Sequence, residues 1–324
     1  MKVSDRATLP DIIADYVAEQ RTLGYKCDKK ERSLRGVTRL YYEMGCTGTA
    51  LDKELVLKWT EKRTHESERN RAHRISIARG LAEYMIRLGY AAYLYPKRSG
   101  PYWQSNYKPY IFSDREIVSI LQQADSFAVN MAAPYRHLVL PLLFRILYGS
   151  GLRVSEVLSL KKEDVDLDDG VLFIKKTKFG KERLVPLSRT VHERCREYTM
   201  EMERYPVWKD FTYFFPAPHG GRYSERTTYG HFRIFLWKAG ISHGGKGKGP
   251  RVHDLRHTYS VHCLRNWVKA GMDLTTAMPY LSAYLGHSGI RGTQHYLRLT
   301  AELYPDIVKR TEEKFSWVVP EVNV

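Results

Sequence analysis

Residues 93–110, running from Tyr93-Leu94-Tyr95-Pro96 through Lys97-Arg98-Ser99-Gly100-Pro101 to Pro109-Tyr110, hold three prolines and a glycine and show no helical period. Proline fixes φ and removes a backbone donor, so such a stretch continues neither a helix nor a central strand. The chain is therefore read as three pieces: a shorter domain over 1–92, a linker over 93–110 and a longer domain over 111–324 that ends in a C-terminal tail. With 324 residues in all, both domains are long enough to bury a core.

The shorter piece reads as four helices with little strand signal. Asp11 to Leu23 puts Ile12, Ile13, Tyr16 and Val17 on one face and stops at Gly24. Cys27 to Met44 keeps the period through Leu34, Val37, Leu40 and Tyr41. Asp52 stands where it can cap a helix carrying Leu55, Val56 and Trp59. A longer helix covers about Glu66 to Leu88 and carries Arg69, Arg71 and Arg74. Beyond the linker, Ser113 and Glu116 form a capping-box pattern. The longer piece reads as mostly helical, with helices expected near 188–204, 226–239, 254–270 and 273–285. Val171–Ile174 and Arg183–Leu187, separated by Phe179-Gly180, read as a β-hairpin. The expected fold is mainly α with a small β-hairpin or sheet: a helical N-terminal bundle followed by a mixed α/β domain.

The net charge is +16, and it is spread evenly. Lys+Arg against Asp+Glu gives 21 − 13 = +8 for residues 1–108 and 31 − 23 = +8 for 109–324. A polyanion gripped from both halves accounts for that balance, as does a basic surface kept for solubility. No run of about 18 apolar residues suggests a membrane span, and the first residues lack a signal-peptide core, so a cytoplasmic protein is expected. Cys27, Cys46, Cys195 and Cys263 are scattered, which suits reduced thiols rather than a disulfide scaffold or a zinc ribbon. The run Gly244-Gly245-Lys246-Gly247-Lys248-Gly249 lacks the spacing of a nucleotide-binding loop.

Four separated segments carry residues that make sense as one phosphoryl-transfer site: Gly151-Leu152-Arg153-Val154-Ser155-Glu156, His253-Asp254-Leu255-Arg256-His257, Leu285-Gly286-His287, and Tyr296, nine positions after His287. A guanidinium donates two parallel hydrogen bonds to a phosphate, and histidines add further donors. His253 and Arg256 lie one helical turn apart and can face the same group. Glu156 either orients Arg153 from behind or serves as a helix N-terminal carboxylate. His253 and His257 also have the i, i+4 spacing of a zinc pair. The glutamate of the zinc motif is missing, however, and no third ligand lies downstream in a suitable pattern, so no metal is expected. A tyrosine hydroxyl can attack a phosphodiester, with Tyr284 and Tyr304 as neighbours of the same type.

The order Arg…His-x-x-Arg…His…Tyr, with both local motifs and the final spacing, resembles the tyrosine recombinases, the phage-integrase family. The likeness spans about 12–300 and is more specific in the second half. It implies a helical domain that grips DNA, followed by a catalytic domain, with Arg71 and Arg74 on the DNA-facing helix. Arg153, Arg256 and His287 would stabilise the phosphate, Tyr296 would be the nucleophile, and His253 would take its proton or hold the phosphate. Lys178 would occupy the position of the family's general-acid lysine, with Lys175, Lys176 and Lys181 close by. A free phenol ionises only near pH ~10, so attack near neutrality calls for such cations. The resemblance implies a site-specific recombinase that acts on duplex DNA sites as a tetramer, without cofactors, through a 3′-phosphotyrosyl intermediate; other recombinase subunits could join. A topoisomerase of the single-strand nicking type would use the same residues, and an inactive DNA-binding accessory protein would keep the shape alone. Gly271 to Leu285 is about one turn longer than the family's usual interval and contains Pro279. That feature is similar to recombinases carried by transposons and plasmids.

Overall fold

The computed structural model describes residues 8–97, 108–175, 182–245, 249–287, 289 and 291–304; for 291, 298 and 301–303 it describes the backbone alone. The chain divides into two compact units, Met1–Tyr107 and Lys108–Val324.

In the first unit, helices α1 (Leu9–Thr22), α2 (Asp28–Glu43), α3 (Lys53–Thr60) and α4 (Glu68–Arg87) enclose one core. The apolar stripe of α1, Leu9, Ile12, Ile13, Tyr16 and Val17, is buried as its spacing requires. Ser67 caps α4, accepting from the Asn70 amide at 3.2 Å. Asp52 stands at the N-cap of α3 but makes no side-chain capping bond. Ala92 bridges to Leu51, and Tyr93 and Tyr95 pack on this core, so the first unit uses residues whose composition reads as linker.

Arg74 corrects an expectation. It is 6% exposed and therefore not available on a DNA-facing surface. Its fork pairs with both oxygens of Glu66 and reaches the carbonyls of Trp59 and Glu61. Three residues earlier, Arg71 donates from Nε to the Thr60 carbonyl at 3.1 Å and stays half-buried. The physical reason is helix polarity. The C-terminal carbonyls of α3 lack intrahelical partners and carry partial negative charge, which attracts the nearest guanidinium.

The second unit contains α5 (Asp114–Asp125), α6 (Arg136–Gly149), α7 (Val154–Leu158), β1 (Val165–Asp166), β2 (Val171–Ile174), β3 (Arg183–Pro186), α8 (Arg189–Glu203), α9 (Glu225–Lys238), α10 (Val252–Lys269), α11 (Leu274–Leu285) and α12 (Arg291–Leu303). Ser113 and Glu116 form the full capping box on α5. The strands make an antiparallel sheet in the order β1-β2-β3, with Leu172 opposite Val185 and Ile174 opposite Arg183. Helix α6 is apolar nearly all round and runs through the core between α5, α8 and α10. A smaller cluster joins α10, α11 and α12 through Val261, Leu264, Met278, Leu281, Leu285, Tyr296 and Leu299. No described helix is long and apolar enough to cross a membrane.

Candidate active site

The site begins where α6 stops. Gly151 adopts φ +59°, a left-handed conformation open to glycine, and a Cβ there would collide with the Tyr259 ring of α10. The chain then turns into α7 with Arg153 at its N-cap. No serine or aspartate caps this helix. Instead the Glu156 carboxylate folds back, accepting from the Arg153 amide at 3.0 Å and from Arg153 Nη1 at 2.8 Å. Both readings of Glu156 therefore hold: it serves the helix start and holds the guanidinium.

Glu156 is 8% exposed and also accepts from Arg183 of β3, Nη1 at 3.2 Å and Nη2 at 2.9 Å. Burial pushes its carboxyl up, but Arg183, then the Arg153 amide and side chain, outweigh this and hold it below the usual carboxylate value. Sequence reasoning misses Arg183 as a site residue. In the sequence it looks like an ordinary polar position in a hairpin strand, and nothing in that strand marks a buried partner.

Three arginines converge on the C-terminus of α11. The Tyr284 carbonyl accepts from Arg183 Nε at 2.8 Å, and the Leu285 carbonyl accepts from Arg256 Nη2 at 2.8 Å. The Gly286 carbonyl makes a longer contact with Arg153 Nη2 at 3.4 Å. The last carbonyls of a helix lack intrahelical partners, and here cations supply them. Gly286 ends the helix at φ +66°, and a Cβ on it would lie 2.7 Å from Arg183 Nη1. Arg256, 2% exposed, also donates from Nη1 to the Gly151 carbonyl at 2.8 Å, which ties the first motif to the third. Burial lowers its pKa to about 10, leaving it charged at neutral pH.

His287 comes directly after. Arg256 Nη2 lies 3.0 Å from its Nε2, and arginine can only donate, so Nε2 accepts. Nδ1 then carries the proton and donates to Thr293 Oγ1 at 2.8 Å. Burial, then Arg256, Arg153 and Arg183, lower this histidine to about 4, in keeping with a neutral ring. Thr293, fully buried, is a second residue that sequence reading does not single out.

Tyr296 of α12 is 3% exposed. Its ring lies 6.0 Å from that of His287, nearly parallel to it, and 5.5 Å from that of His257. His257 packs edge-on against His253 at 4.8 Å. His253 keeps solvent access, and its pKa is lowered by the surrounding protein and then by Arg256 and Arg153. The rival tyrosines are engaged elsewhere: Tyr284 donates to the Pro186 carbonyl, and the Tyr304 hydroxyl accepts from Arg265. Arg153, Glu156, His253, Arg256, His287 and Tyr296 thus come together from the start of α7, from α10, from the residues just past α11 and from α12. Lys178 lies outside the described residues, and Arg71 belongs to the first unit. Among the described residues no three His, Cys, Asp or Glu side chains gather as a metal site would need.

Comparison with known proteins identifies the family. The profile of the phage integrase family matches residues 111–302. Two candidate integrases/recombinases of Sinorhizobium fredii are similar along nearly the whole chain. One, y4rB, is 29% identical over 96% of this chain and 99% of its own; the other, y4rE, is 31% identical over 91% and 93%. Tyrosine recombinase XerC of Chlamydia trachomatis is 28% identical over 76% of this chain and 72% of its own. In fold, the chain resembles the XerH site-specific recombinase in its post-cleavage complex, with a TM-score of 0.59 and 23% identity, covering 82% of this chain and 71% of that one. It also resembles the Tn1549 transposon integrase, with a TM-score of 0.59 and 16% identity, covering 94% and 99%. With a family profile matched over more than half its length and a relative above 30% identity spanning most of it, the chain belongs to the phage integrase family and is a site-specific recombinase of the tyrosine type.

Proposed function

We propose that this recombinase cuts and rejoins duplex DNA at specific sites through Tyr296, with Arg153, Arg256 and His287 holding the scissile phosphate. The phenol oxygen of Tyr296 bonds to phosphorus while the bond to the 5′ oxygen breaks, leaving a 3′-phosphotyrosyl link and a free 5′ hydroxyl. The phenolic proton passes to His253, whose lowered pKa keeps its ring neutral and able to accept it near neutral pH. Lys178 gives a proton to the departing 5′ oxygen, a task for which an ammonium is suited and a guanidinium is not. The arginines meet negative charge building on the non-bridging oxygens beside the buried Arg256 and Tyr296, where such charge stabilisation is stronger than in water. Attack by a second strand's 5′ hydroxyl reverses the step. The covalent link stores the phosphodiester, so resealing draws on neither ATP nor a metal. Four protomers on two DNA sites in the cytoplasm would exchange strands this way, and the first unit would hold the duplex from a second side.

The observation that carries this reading is the buried network in which Arg256 reaches both Gly151 and His287 while the Tyr296 ring packs on His287. The test is a nicked DNA site whose 5′ fragment diffuses away after cleavage. The wild-type protein should accumulate a covalent complex, and in EDTA it should do so equally well. Tyr296→Phe removes one hydroxyl and should abolish the complex while DNA binding persists. An adduct that survives in Tyr296→Phe and maps to Tyr284 or Tyr304 would overturn the assignment.

A further inference from the structure

We propose that Arg183 is a positioning residue for strand transfer, setting the charge and orientation of Arg153 through Glu156 and the seat of His287 through the end of α11. The proposal rests on the phosphoryl-transfer reading of the same site.

The Glu156 carboxylate has about four acceptor sites, and four donors fill them: the Arg153 amide and Nη1, and Nη1 and Nη2 of Arg183. The Arg183 pair is a two-pronged contact, the strongest geometry for a guanidinium and a carboxylate. With one carboxylate shared between two guanidinia, the trio keeps a net charge of +1. Arg153, whose side chain is 22% exposed where that of Arg183 is 10% exposed, is the member able to present this charge to a ligand. Without Arg183 the remaining pair would be neutral. Glu156, still buried, would draw both of its oxygens onto Arg153 and turn that guanidinium away from a phosphate.

The third donor of Arg183 acts on a different part of the site. Nε holds the Tyr284 carbonyl at 2.8 Å, two residues before Gly286, and the guanidinium occupies space that a Cβ on Gly286 would invade. His287 starts from that glycine. Arg183 itself is fixed by β3, where it pairs with Ile174 as the strand leaves the connection 175–182. One side chain thus ties the hairpin register to the first arginine and the second histidine of the site.

The experiment uses the full chain and the nicked site, with the scissile phosphate either native or carrying a methyl group in place of one non-bridging oxygen. Arg183→Gln should slow covalent-complex formation at saturating DNA by about tenfold or more, the usual scale for losing an outer-shell partner, with little change in DNA affinity. On the methylphosphonate, whose one remaining non-bridging oxygen starts uncharged and carries one charge less than native phosphate through the reaction, the defect should shrink. Adding Glu156→Gln to Arg183→Gln removes the carboxylate that would neutralise Arg153 and should recover part of the rate. A merely structural arginine predicts the reverse: equal defects on both phosphates and a double variant worse than either single one. That outcome, or a normally folded Arg183→Gln that cleaves at the wild-type rate, would overturn the proposal. If Arg183→Gln fails to fold, Arg183→Lys keeps the charge but loses the fork. Because the charge that offsets Glu156 is kept, this variant should slow cleavage of native phosphate by less than about tenfold, and a larger defect that is equal on both phosphates would overturn the proposal. Failure of the wild-type protein to form any covalent complex would count against the phosphoryl-transfer reading itself.

Discussion

Gly286 concentrates the logic of the site into one residue. It must take φ +66°, and its missing side chain leaves room for the Arg183 guanidinium, which Glu156 and the Tyr284 carbonyl hold in place. Gly286→Ala should therefore destabilise the protein by about 1–3 kcal/mol, the range for a residue forced into a left-handed conformation, and slow cleavage further by disturbing Arg183. Urea unfolding read beside the cleavage rate checks both. The histidines give a second residue-scale expectation. Burial lowers His257 to about 3 and His287 to about 4, from an ordinary value of 6.5. Below pH 6.5 the unfolded chain binds protons that the folded protein refuses, so stability falls as pH drops from 6.5 toward 4, by at most about 1.4 kcal/mol per pH unit for each histidine. His257 is the better probe, because its Nδ1 is buried without a hydrogen-bond partner among the described residues. His257→Gln should lose less stability between pH 7 and pH 5 than the wild-type protein, measured by urea midpoints. At this scale the motif residues are legible because their chemistry is local and their spacing fixed. Arg183, Thr293 and the burial of Arg74 are not, because each depends on a partner remote in the fold or on which way a helix face turns.

Among the elements, the amphipathic helices of the first unit and the β2–β3 pairing can be read directly from period and breakers. Helix α6 cannot be delimited as readily, since an element apolar all round has no face to announce its phase. The long interval before Leu285 turns out to hold a continuous helix. Asp273 caps α11 by accepting from the Thr275 and Thr276 amides, and Pro279 sits inside it while Ala277, Met278, Leu281 and Leu285 are buried. Proline there costs one hydrogen bond without ending the helix, because the apolar face on either side is packed. Helix α12 carries Tyr296, the proposed nucleophile, which is 3% exposed, and a buried phenol cannot reach a phosphodiester on a duplex. DNA binding should therefore loosen α12, and amide hydrogen exchange across Arg291–Leu303 should speed up on the bound site; unchanged protection during active cleavage would refute this. The hairpin connection holds Lys178. If that lysine is the general acid, Lys178→Ala should slow cleavage of ordinary DNA severely and recover much of the rate on a 5′-thio leaving group, which departs without protonation. Equal defects on both substrates would assign the proton to a neighbouring lysine or to none.

For the whole molecule, the equal division of charge, +8 on residues 1–108 and +8 on 109–324, is the feature that a single motif cannot explain. If both units hold the duplex, each phosphate contact adds about −0.9 to the slope of log affinity against log salt. The structure narrows which residues of the first unit can contribute. Arg74 is spent on Glu66 and on the carbonyls at the end of α3. Among the described residues, the cationic side chains left around the pocket beside α4 are Lys30, Arg71, Arg79 and Lys97, together with His73. Lys30 and Arg79 already serve Gln20 and Glu83, whereas Arg71 gives its Nε to the Thr60 carbonyl and has its terminal nitrogens for a phosphate, so Arg71 and Lys97 are the better candidates. Two kinds of substitution should then behave differently. Arg71→Ala and Lys97→Ala should each weaken binding uniformly across sequences and flatten the salt slope by up to about 0.9, with little loss of stability. Arg74→Ala should leave the slope unchanged at temperatures where the protein is folded. It should instead cost about 3 kcal/mol or more of stability, since it strands a buried Glu66 carboxylate. Binding isotherms at several salt concentrations, beside unfolding curves for the same variants, separate the two. A flat response to Arg71 and Lys97 together would mean that the first unit does not hold DNA through this face, and that the positive charge there is ordinary surface charge.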